Sequence, residues 1–246
     1  MNDAVLKINS VTIYGFSVVL AVSFLWGAFV MHKKAIEAHF DDFMVLDMVV
    51  LGGFWSFVFG RLSFVLLNPG VFWNNWSRVL FLKNYPGLDH WGLLVGLVLV
   101  TRLVTKKSEH KFFDWMDLIS LGVIGSMSIF FAGMTLLTFS WQIMVLSVVS
   151  LLVFIYLWKA EREYRKYDWY KKRKTEARSG FLTGTSLAYY GLVAVAVGLI
   201  TVPRTFWVIA GNAILFVAGI VLVYIRSGRQ LQEDLKFIFK NAKKTR

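Results

Sequence analysis

Three uncharged apolar stretches constrain the fold of this chain more than any other feature of its sequence. They are Val11–Met31, Phe181–Val202 and Thr205–Ile225, and none contains a lysine, arginine, aspartate or glutamate. The hydrocarbon core of a bilayer is roughly 30 Å thick, and a helix needs about 20 apolar residues to cross it. All three stretches meet that length, so the chain is predicted to be an integral membrane protein.

Three further apolar segments complete the predicted set of membrane crossings. These are Phe43–Leu67, Leu88–Val104 and Trp115–Trp158. A continuous helix over Trp115–Trp158 would be about 66 Å long, roughly twice the bilayer core. We therefore expect this segment to cross twice and to turn near Thr135–Gln142, although no glycine or proline marks the turn. The predicted fold is all-α, a single membrane domain over residues 1–246 with seven transmembrane helices.

The distribution of basic residues predicts how these helices are oriented. Lysine and arginine accumulate in short cytoplasmic loops, and the chain has four basic clusters: 32–34, 102–111, 159–174 and the tail from Arg226. If Trp115–Trp158 crosses twice, all four clusters fall on the same side of the membrane, whereas a single crossing would separate the second from the third. We therefore predict that the N-terminus lies outside and the C-terminus in the cytoplasm. The net charge of +12 then belongs mostly to the cytoplasmic surface.

Two cytoplasmic segments have patterns of their own, a basic loop over 159–180 and a tail over 226–246. In the loop, basic residues alternate with tyrosine and tryptophan, which suits either nucleic acid or anionic lipid headgroups. We favour a helix extension resting on the headgroups, where each basic residue contributes about 1 kcal/mol, and expect no nucleic-acid partner. In the tail, apolar residues recur with the period of an amphipathic helix lying in the membrane interface. These are Leu231, Leu235, Ile238 and Phe239.

The composition excludes several kinds of chemistry. The chain has no cysteine, which removes disulfides, a thiolate nucleophile and cysteine-ligated zinc. Any thiol chemistry would have to use the sulfur of a substrate. With four histidines and no HExxH-like spacing, we expect neither a metal nor another cofactor.

Ionisable residues within the spans are the candidates for function, because each costs roughly 2.5–3.5 kcal/mol at a helix centre. Asp47 and Asp117 fall near predicted cytoplasmic helix ends, where a structural role is expected. Arg61 lies about two turns below the outer end of its span. Its side chain could reach the membrane surface or hold an anion. His90, preceded by an aspartate, stands at the outer mouth of the third span, and Tyr14 lies in the outer part of the first.

Four stretches occur in an order that resembles a known family of membrane enzymes. They are INSVTIYGF with Tyr14, FGRLSFVLLNP with Arg61, GLDHWGLLVG with His90, and AYYGL with Tyr190. They resemble the corresponding stretches of the prolipoprotein diacylglyceryl transferases, seven-span enzymes of the bacterial inner membrane. The resemblance extends over nearly the whole chain.

This resemblance implies a reaction and a set of site residues. The family moves a diacylglyceryl group from phosphatidylglycerol onto the cysteine thiol of a lipoprotein precursor, releasing glycerol phosphate. By this resemblance His90 and Tyr14 are expected to be catalytic, with His90 as proton acceptor. Arg61, Tyr190 and Gly133 are expected to contact the phospholipid. The expected partners are phosphatidylglycerol, a lipoprotein precursor and the membrane itself, and the expected location is the bacterial inner membrane.

The chain departs from the family at its most diagnostic motif, Gly-Arg-x-Gly-Asn-Phe-x-Asn-Gly-Glu. The aligned stretch reads FFAGMTLLTF, in which Gly133 matches but Phe131, Met134 and Phe139 stand near the arginine, asparagine and glutamate positions. Three hypotheses therefore remain. The protein is a divergent working transferase, a non-catalytic relative that binds phospholipid or lipoprotein precursor, or a small membrane transporter or structural protein.

Overall fold

The computed structural model describes residues 4–8, 11–72, 76–79, 87–170, 179–201 and 206–227. Helices dominate these residues, which confirms the all-α class. In chain order the α-helices are Gly15–Glu37 (α1), Asp42–Leu67 (α2), Pro69–Phe72 (α3), His90–Thr105 (α4), Phe112–Thr138 (α5), Trp141–Tyr170 (α6), Phe181–Thr201 (α7) and Phe206–Arg226 (α8). The other elements are a 3-10 helix and two antiparallel strands, namely Trp76–Val79, Ala4–Ile8 (β1) and Val11–Tyr14 (β2).

Six of these helices are long and apolar enough to cross a membrane. The candidate crossings are Gly15–Glu37, Asp42–Leu67, Phe112–Thr138, Trp141–Arg162, Phe181–Leu199 and Ile209–Arg226. In the most apolar window of Trp141–Arg162 only 11% of the residues are buried, as expected of a helix that faces lipid. Helix α4, the predicted third crossing, has 16 residues, about 24 Å at about 1.5 Å per residue and thus short of the hydrocarbon core. The seventh crossing and the membrane orientation stay predictions.

The start of the first crossing differs from the prediction. Val11–Tyr14 forms strand β2, and α1 begins at Gly15. Tyr14 therefore ends a strand and does not lie within the first transmembrane helix. The residue types explain the difference, because valine, threonine, isoleucine and tyrosine all favour extended structure.

The predicted turn within the longest apolar segment is confirmed. Helix α5 ends at Thr138 and α6 begins at Trp141. Phe139, between them, has a φ of 49°, in the left-handed region, and its backbone N–H donates to the Thr135 carbonyl at 2.9 Å. Glycine or asparagine usually occupies such a position, which is why the sequence carries no signal for the turn.

The predicted cytoplasmic segments are described only in part. Helix α6 runs to Tyr170, so the first part of the predicted basic loop is helical, which confirms the expected helix extension. Residues 171–178 of that loop and 228–246 of the predicted amphipathic tail lie outside the described residues.

The chain forms two compact units: Met1–Met31 with Met116–Arg246, and His32–Trp115. In the first unit, α1, α5, α6 and α7 share an apolar core. Its members are Val30, Leu121, Ile124, Phe154, Leu157, Leu182, Tyr189 and Val193. Gly184 and Gly219 bring α7 and α8 together, because a Cβ at either would overlap backbone atoms of the other helix. These two glycines therefore allow close helix packing.

In the second unit, α2 and α4 pack against each other through glycines. A Cβ on Gly92 would lie 2.3 Å from the Phe59 carbonyl oxygen, and one on Gly96 would lie 2.8 Å from the Trp55 carbonyl oxygen. A Cβ on Gly60 would meet the Leu93 side chain at 2.9 Å. The first turn of α4 is therefore held directly against the second half of α2.

Candidate functional site

The first turn of α4 begins at an aspartate that caps it. Asp89 has extended backbone angles, φ −95° and ψ 130°, and its Oδ2 accepts a hydrogen bond from the Gly92 N–H at 3.0 Å. Capping by aspartate satisfies one of the N–H groups that a helix start leaves without a partner within the helix. Asp89 thus determines where α4 begins and makes His90 its first residue.

Asp89 is also bonded to α2. Its Oδ2 accepts from the Ser63 hydroxyl at 2.7 Å, and its backbone N–H donates to the Gly60 carbonyl at 2.9 Å. Ser63 was not singled out in the sequence, because a lone serine in an apolar helix carries no signal of its own. We call the group formed by Arg61, Ser63, Asp89 and His90 the α2–α4 junction.

Arg61 is buried at this junction, 5% exposed. Its Nε donates to the Val79 carbonyl at 3.0 Å, its Nη1 to that of Gly87 at 2.9 Å, and its Nη2 to that of Arg78 at 3.2 Å. The guanidinium carbon also lies 5.7 Å from the Phe64 ring centre and 5.2 Å from that of Phe72, within range for cation–π attraction.

The guanidinium of Arg61 therefore fastens two segments of the chain between α3 and α4 to α2. One segment is the end of the 3-10 helix, and the other immediately precedes α4. Its predicted contact with phospholipid stays a prediction, and the geometry adds a structural role that the sequence did not indicate.

His90 combines accessibility with a nearby carboxylate. Its side chain is 30% exposed, and its Nδ1 lies 3.8 Å from the Asp89 Oδ1. The Trp91 ring centre is 5.7 Å from that of the imidazole. An imidazole in such a place can accept a proton from a group that approaches it.

Arg78 is a second arginine of this unit that sequence reasoning passed over. It is half-buried, and its Nη1 donates to the Val71 carbonyl at 2.9 Å. Its own carbonyl accepts from Arg61. An isolated arginine within the stretch WNNWSRVLFL was the available signal.

The remaining predicted site residues belong to the first unit. Tyr14 is half-buried at the end of β2, and Tyr190 is half-buried on α7. Gly133 lies on α5, where a Cβ would come 2.6 Å from a methyl carbon of Val19 on α1. Gly133 thus allows α1 to approach α5 closely. The predicted catalytic role of Tyr14 and the predicted phospholipid contacts of Tyr190 and Gly133 stay predictions.

The three positions that depart from the family motif carry no polar chemistry. Phe131 packs against the apolar core of the first unit, and Met134 is buried, 6% exposed. Phe139 lies beyond the end of α5 and is 88% exposed. Phe131 and Met134 therefore contribute apolar packing where the family motif has polar residues.

Polar groups elsewhere in the first unit form hydrogen bonds that hold its helices together. Buried Asp117 accepts hydrogen bonds from the Gly180 N–H at 2.7 Å and from the Thr183 N–H and hydroxyl at 2.8 and 2.6 Å. This fixes the start of α7 to α5, in line with the structural role expected of Asp117. Tyr189 shares a hydrogen bond with Ser150 on α6.

An apolar groove of about 400 Å³ opens between α6, α7 and α8 of the first unit. Tyr189, whose hydroxyl is bonded to Ser150, forms part of its wall together with Thr185, whose hydroxyl donates to the Phe181 carbonyl at 3.0 Å. The groove therefore offers mainly an apolar surface.

The fold and the junction together define a class: a multi-pass helical membrane protein with an accessible histidine at a helix start. A family model described as prolipoprotein diacylglyceryl transferase matches residues 3–133, more than half of the chain. The chain belongs to this family. The match includes Tyr14, Arg61 and His90 and ends at Gly133, while Tyr190 lies beyond it. No curated protein matches the chain.

Proposed function

We propose that the protein transfers a diacylglyceryl group from phosphatidylglycerol to the cysteine thiol of a lipoprotein precursor in the bacterial plasma membrane. One observation carries this proposal. His90, the proton acceptor implied by the resemblance, is accessible at the α2–α4 junction, inside the part of the chain that matches the family. A proton acceptor is what a thiol needs to become a nucleophile near neutral pH.

In the proposed step, the imidazole of His90 accepts the proton of the substrate thiol. The sulfur then forms a bond to the glyceryl carbon of the lipid, and the bond from that carbon to the phosphate oxygen breaks. Glycerol phosphate leaves with the electron pair. Proton transfer to a positioned base contributes about 10²–10⁴-fold to the rate of such a step.

The phosphate that leaves gains negative charge, which a nearby cation would stabilise. Arg61 is proposed for this role, because it lies at the same junction and its charge is screened little by water. Tyr14 is proposed as a further catalytic residue, and Tyr190 and Gly133 as phospholipid contacts. The proposed reaction takes place on the outer side of the membrane.

A reconstituted assay tests the proposal. Purified protein is placed in phosphatidylglycerol vesicles with a peptide that carries the lipoprotein-precursor cysteine, and the peptide mass is followed. We expect the mass to increase by one diacylglyceryl group, and no increase in vesicles made only of phosphatidylcholine. A peptide that stays unmodified in phosphatidylglycerol would overturn the proposal.

The apolar stretch at Phe131 and Met134 favours a second candidate, a non-catalytic relative that binds phosphatidylglycerol. Loss of one charge-stabilising donor typically costs about 10²–10³ in rate, and this chain lacks several that the family motif supplies. The second candidate predicts phosphatidylglycerol in the purified protein, no turnover, and less retained lipid in Arg61→Ala. Lipid content that the substitution leaves unchanged would count against Arg61 as the anchor.

A further inference from the structure

The two carboxylate oxygens of Asp89 have different partners. Oδ2 accepts from the Ser63 hydroxyl at 2.7 Å and from the Gly92 N–H at 3.0 Å. Oδ1 lies 3.8 Å from the Nδ1 of His90. Rotation of the carboxylate would break both bonds to Oδ2, so Oδ1 is held on the Nδ1 side of the imidazole.

This arrangement affects which ring nitrogen carries the proton. A neutral imidazole has one N–H and one lone pair, and its surroundings select between the two tautomers. A negative charge beside Nδ1 favours the tautomer with the proton on Nδ1. At 3.8 Å the separation of Asp89 Oδ1 and His90 Nδ1 exceeds a direct hydrogen bond, so the influence is electrostatic or passes through a bridging water.

We propose that Asp89 and Ser63 are positioning residues for His90. Ser63 holds the Asp89 carboxylate, the carboxylate keeps the proton of neutral His90 on Nδ1, and Nε2 is left as the proton acceptor. The tautomer preference follows from the junction alone, whereas its use in catalysis rests on the proposed function.

The capping and charge roles of Asp89 can be separated by substitution. Asparagine caps a helix about as well as aspartate, so Asp89→Asn keeps the cap and removes the negative charge. The matched control is Asp41→Asn, because Asp41 caps α2 by accepting from the Phe43 N–H. Ser63→Ala is a milder second variant, which keeps the carboxylate and removes one of the bonds that hold it.

The tautomer of His90 can be measured by ¹⁵N NMR on full-length protein in lipid nanodiscs with labelled histidine. The chain has four histidines, and the signal missing in His90→Asn identifies the one of interest. In wild type we expect a larger share of the Nδ1–H tautomer than in a free histidine side chain. In Asp89→Asn the ratio of Nδ1–H to Nε2–H should fall about two- to fivefold, the size typical of partly exposed charge pairs. Ser63→Ala should lower the ratio less, and Asp41→Asn should leave it unchanged.

A ratio that is the same in wild type, Asp89→Asn and Ser63→Ala would overturn the positioning role. If Asp89→Asn fails to fold, a tautomer ratio in Ser63→Ala equal to that of wild type would by itself overturn the positioning role. The transferase assay on the same samples separates the two proposals. If the tautomer ratio differs between wild type and the variants but wild type transfers no lipid, only the proposed function is overturned. If wild type transfers lipid but the ratio is the same in the variants, only the positioning role is overturned.

Discussion

At the scale of single residues, Arg61 shows how backbone carbonyls and aromatic rings can stabilise a buried charge. Three of its nitrogens donate to backbone carbonyls, and two aromatic rings lie within cation–π distance. The planar guanidinium suits this arrangement because its N–H donors diverge in fixed directions. Sequence reasoning weighed a side chain that reaches the surface against one that holds an anion. The carbonyl contacts of Val79, Gly87 and Arg78 were not expected, and the contact with an anion stays a prediction.

Replacing Arg61 by leucine should destabilise the protein strongly. Three carbonyls would lose their donor, and a group left unsatisfied in this way costs about 1–3 kcal/mol, so we expect a total loss of about 3 kcal/mol or more. The control is Arg102→Leu, because Arg102 is exposed near the end of α4. Thermal unfolding of the detergent-solubilised variants measures the difference. Equal unfolding temperatures for the two variants would show that Arg61 does not fasten the loop.

At the scale of elements, the turn between α5 and α6 places a non-glycine residue in the left-handed region. Phe139 has a φ of 49° and is 88% exposed. Its side chain therefore makes few packing contacts that could offset the cost of this backbone conformation. The left-handed conformation costs about 1–2 kcal/mol for a residue with a Cβ. This turn therefore carries strain that another residue would relieve.

Phe139→Gly should stabilise the protein by roughly 0.5–1 kcal/mol, since the relief of strain exceeds the entropy that glycine loses on folding. The same change at Leu151, an exposed residue inside α6, should destabilise by about 1 kcal/mol. Thermal unfolding compares the two variants. If both substitutions lower the unfolding temperature equally, Phe139 is not strained.

The packing of α7 on α8 gives a second prediction at this scale. A Cβ at Gly219 would overlap the backbone of Ala188, whereas one at Gly198 would meet no atom within 4 Å. Gly219→Ala should therefore cost about 1–3 kcal/mol through overpacking, and Gly198→Ala should leave stability unchanged or slightly raise it. Thermal unfolding again distinguishes them, and a tolerated Gly219→Ala would contradict the close approach of the two helices.

Helix positions were largely predictable from sequence, because uncharged runs of about 20 residues have few alternatives to a membrane helix. The break at Phe139–Ser140 could be predicted from the length of the apolar segment Trp115–Trp158 alone. Strand β2, Val11–Tyr14, was missed, since its residues are nearly as apolar as the helix that follows. At the site, His90 and Arg61 could be picked out as ionisable residues near apolar runs. Ser63 could not, because its role depends on a contact with Asp89, 26 residues further along the chain.

At the scale of the whole molecule, the central prediction is the orientation in the membrane. It rests on four basic clusters sharing one side. The absence of native cysteine makes single-cysteine labelling free of background. Gly70 is a suitable labelling position on the predicted outer side, because it is exposed and a Cβ added there would meet no atom within 4 Å. Lys107, which is also exposed, is a suitable labelling position on the predicted cytoplasmic side.

A membrane-impermeant maleimide should label Gly70→Cys in intact cells and leave Lys107→Cys unlabelled until the cells are permeabilised. This pattern follows from the inward placement of the basic clusters. Labelling of Lys107→Cys in intact cells, with protection of Gly70→Cys, would reverse the orientation and move the α2–α4 junction to the cytoplasmic side.

The most direct measurement of the proposed chemistry compares two histidine variants in the phosphatidylglycerol vesicle assay. His90→Asn removes the proposed proton acceptor. The control is His39→Asn, because His39 is exposed between α1 and α2. Its backbone is left-handed, a conformation that asparagine tolerates. We predict that His90→Asn lowers the rate of diacylglyceryl transfer about 10²–10⁴-fold, while His39→Asn transfers at the wild-type rate. Transfer by His90→Asn at the wild-type rate would contradict the account.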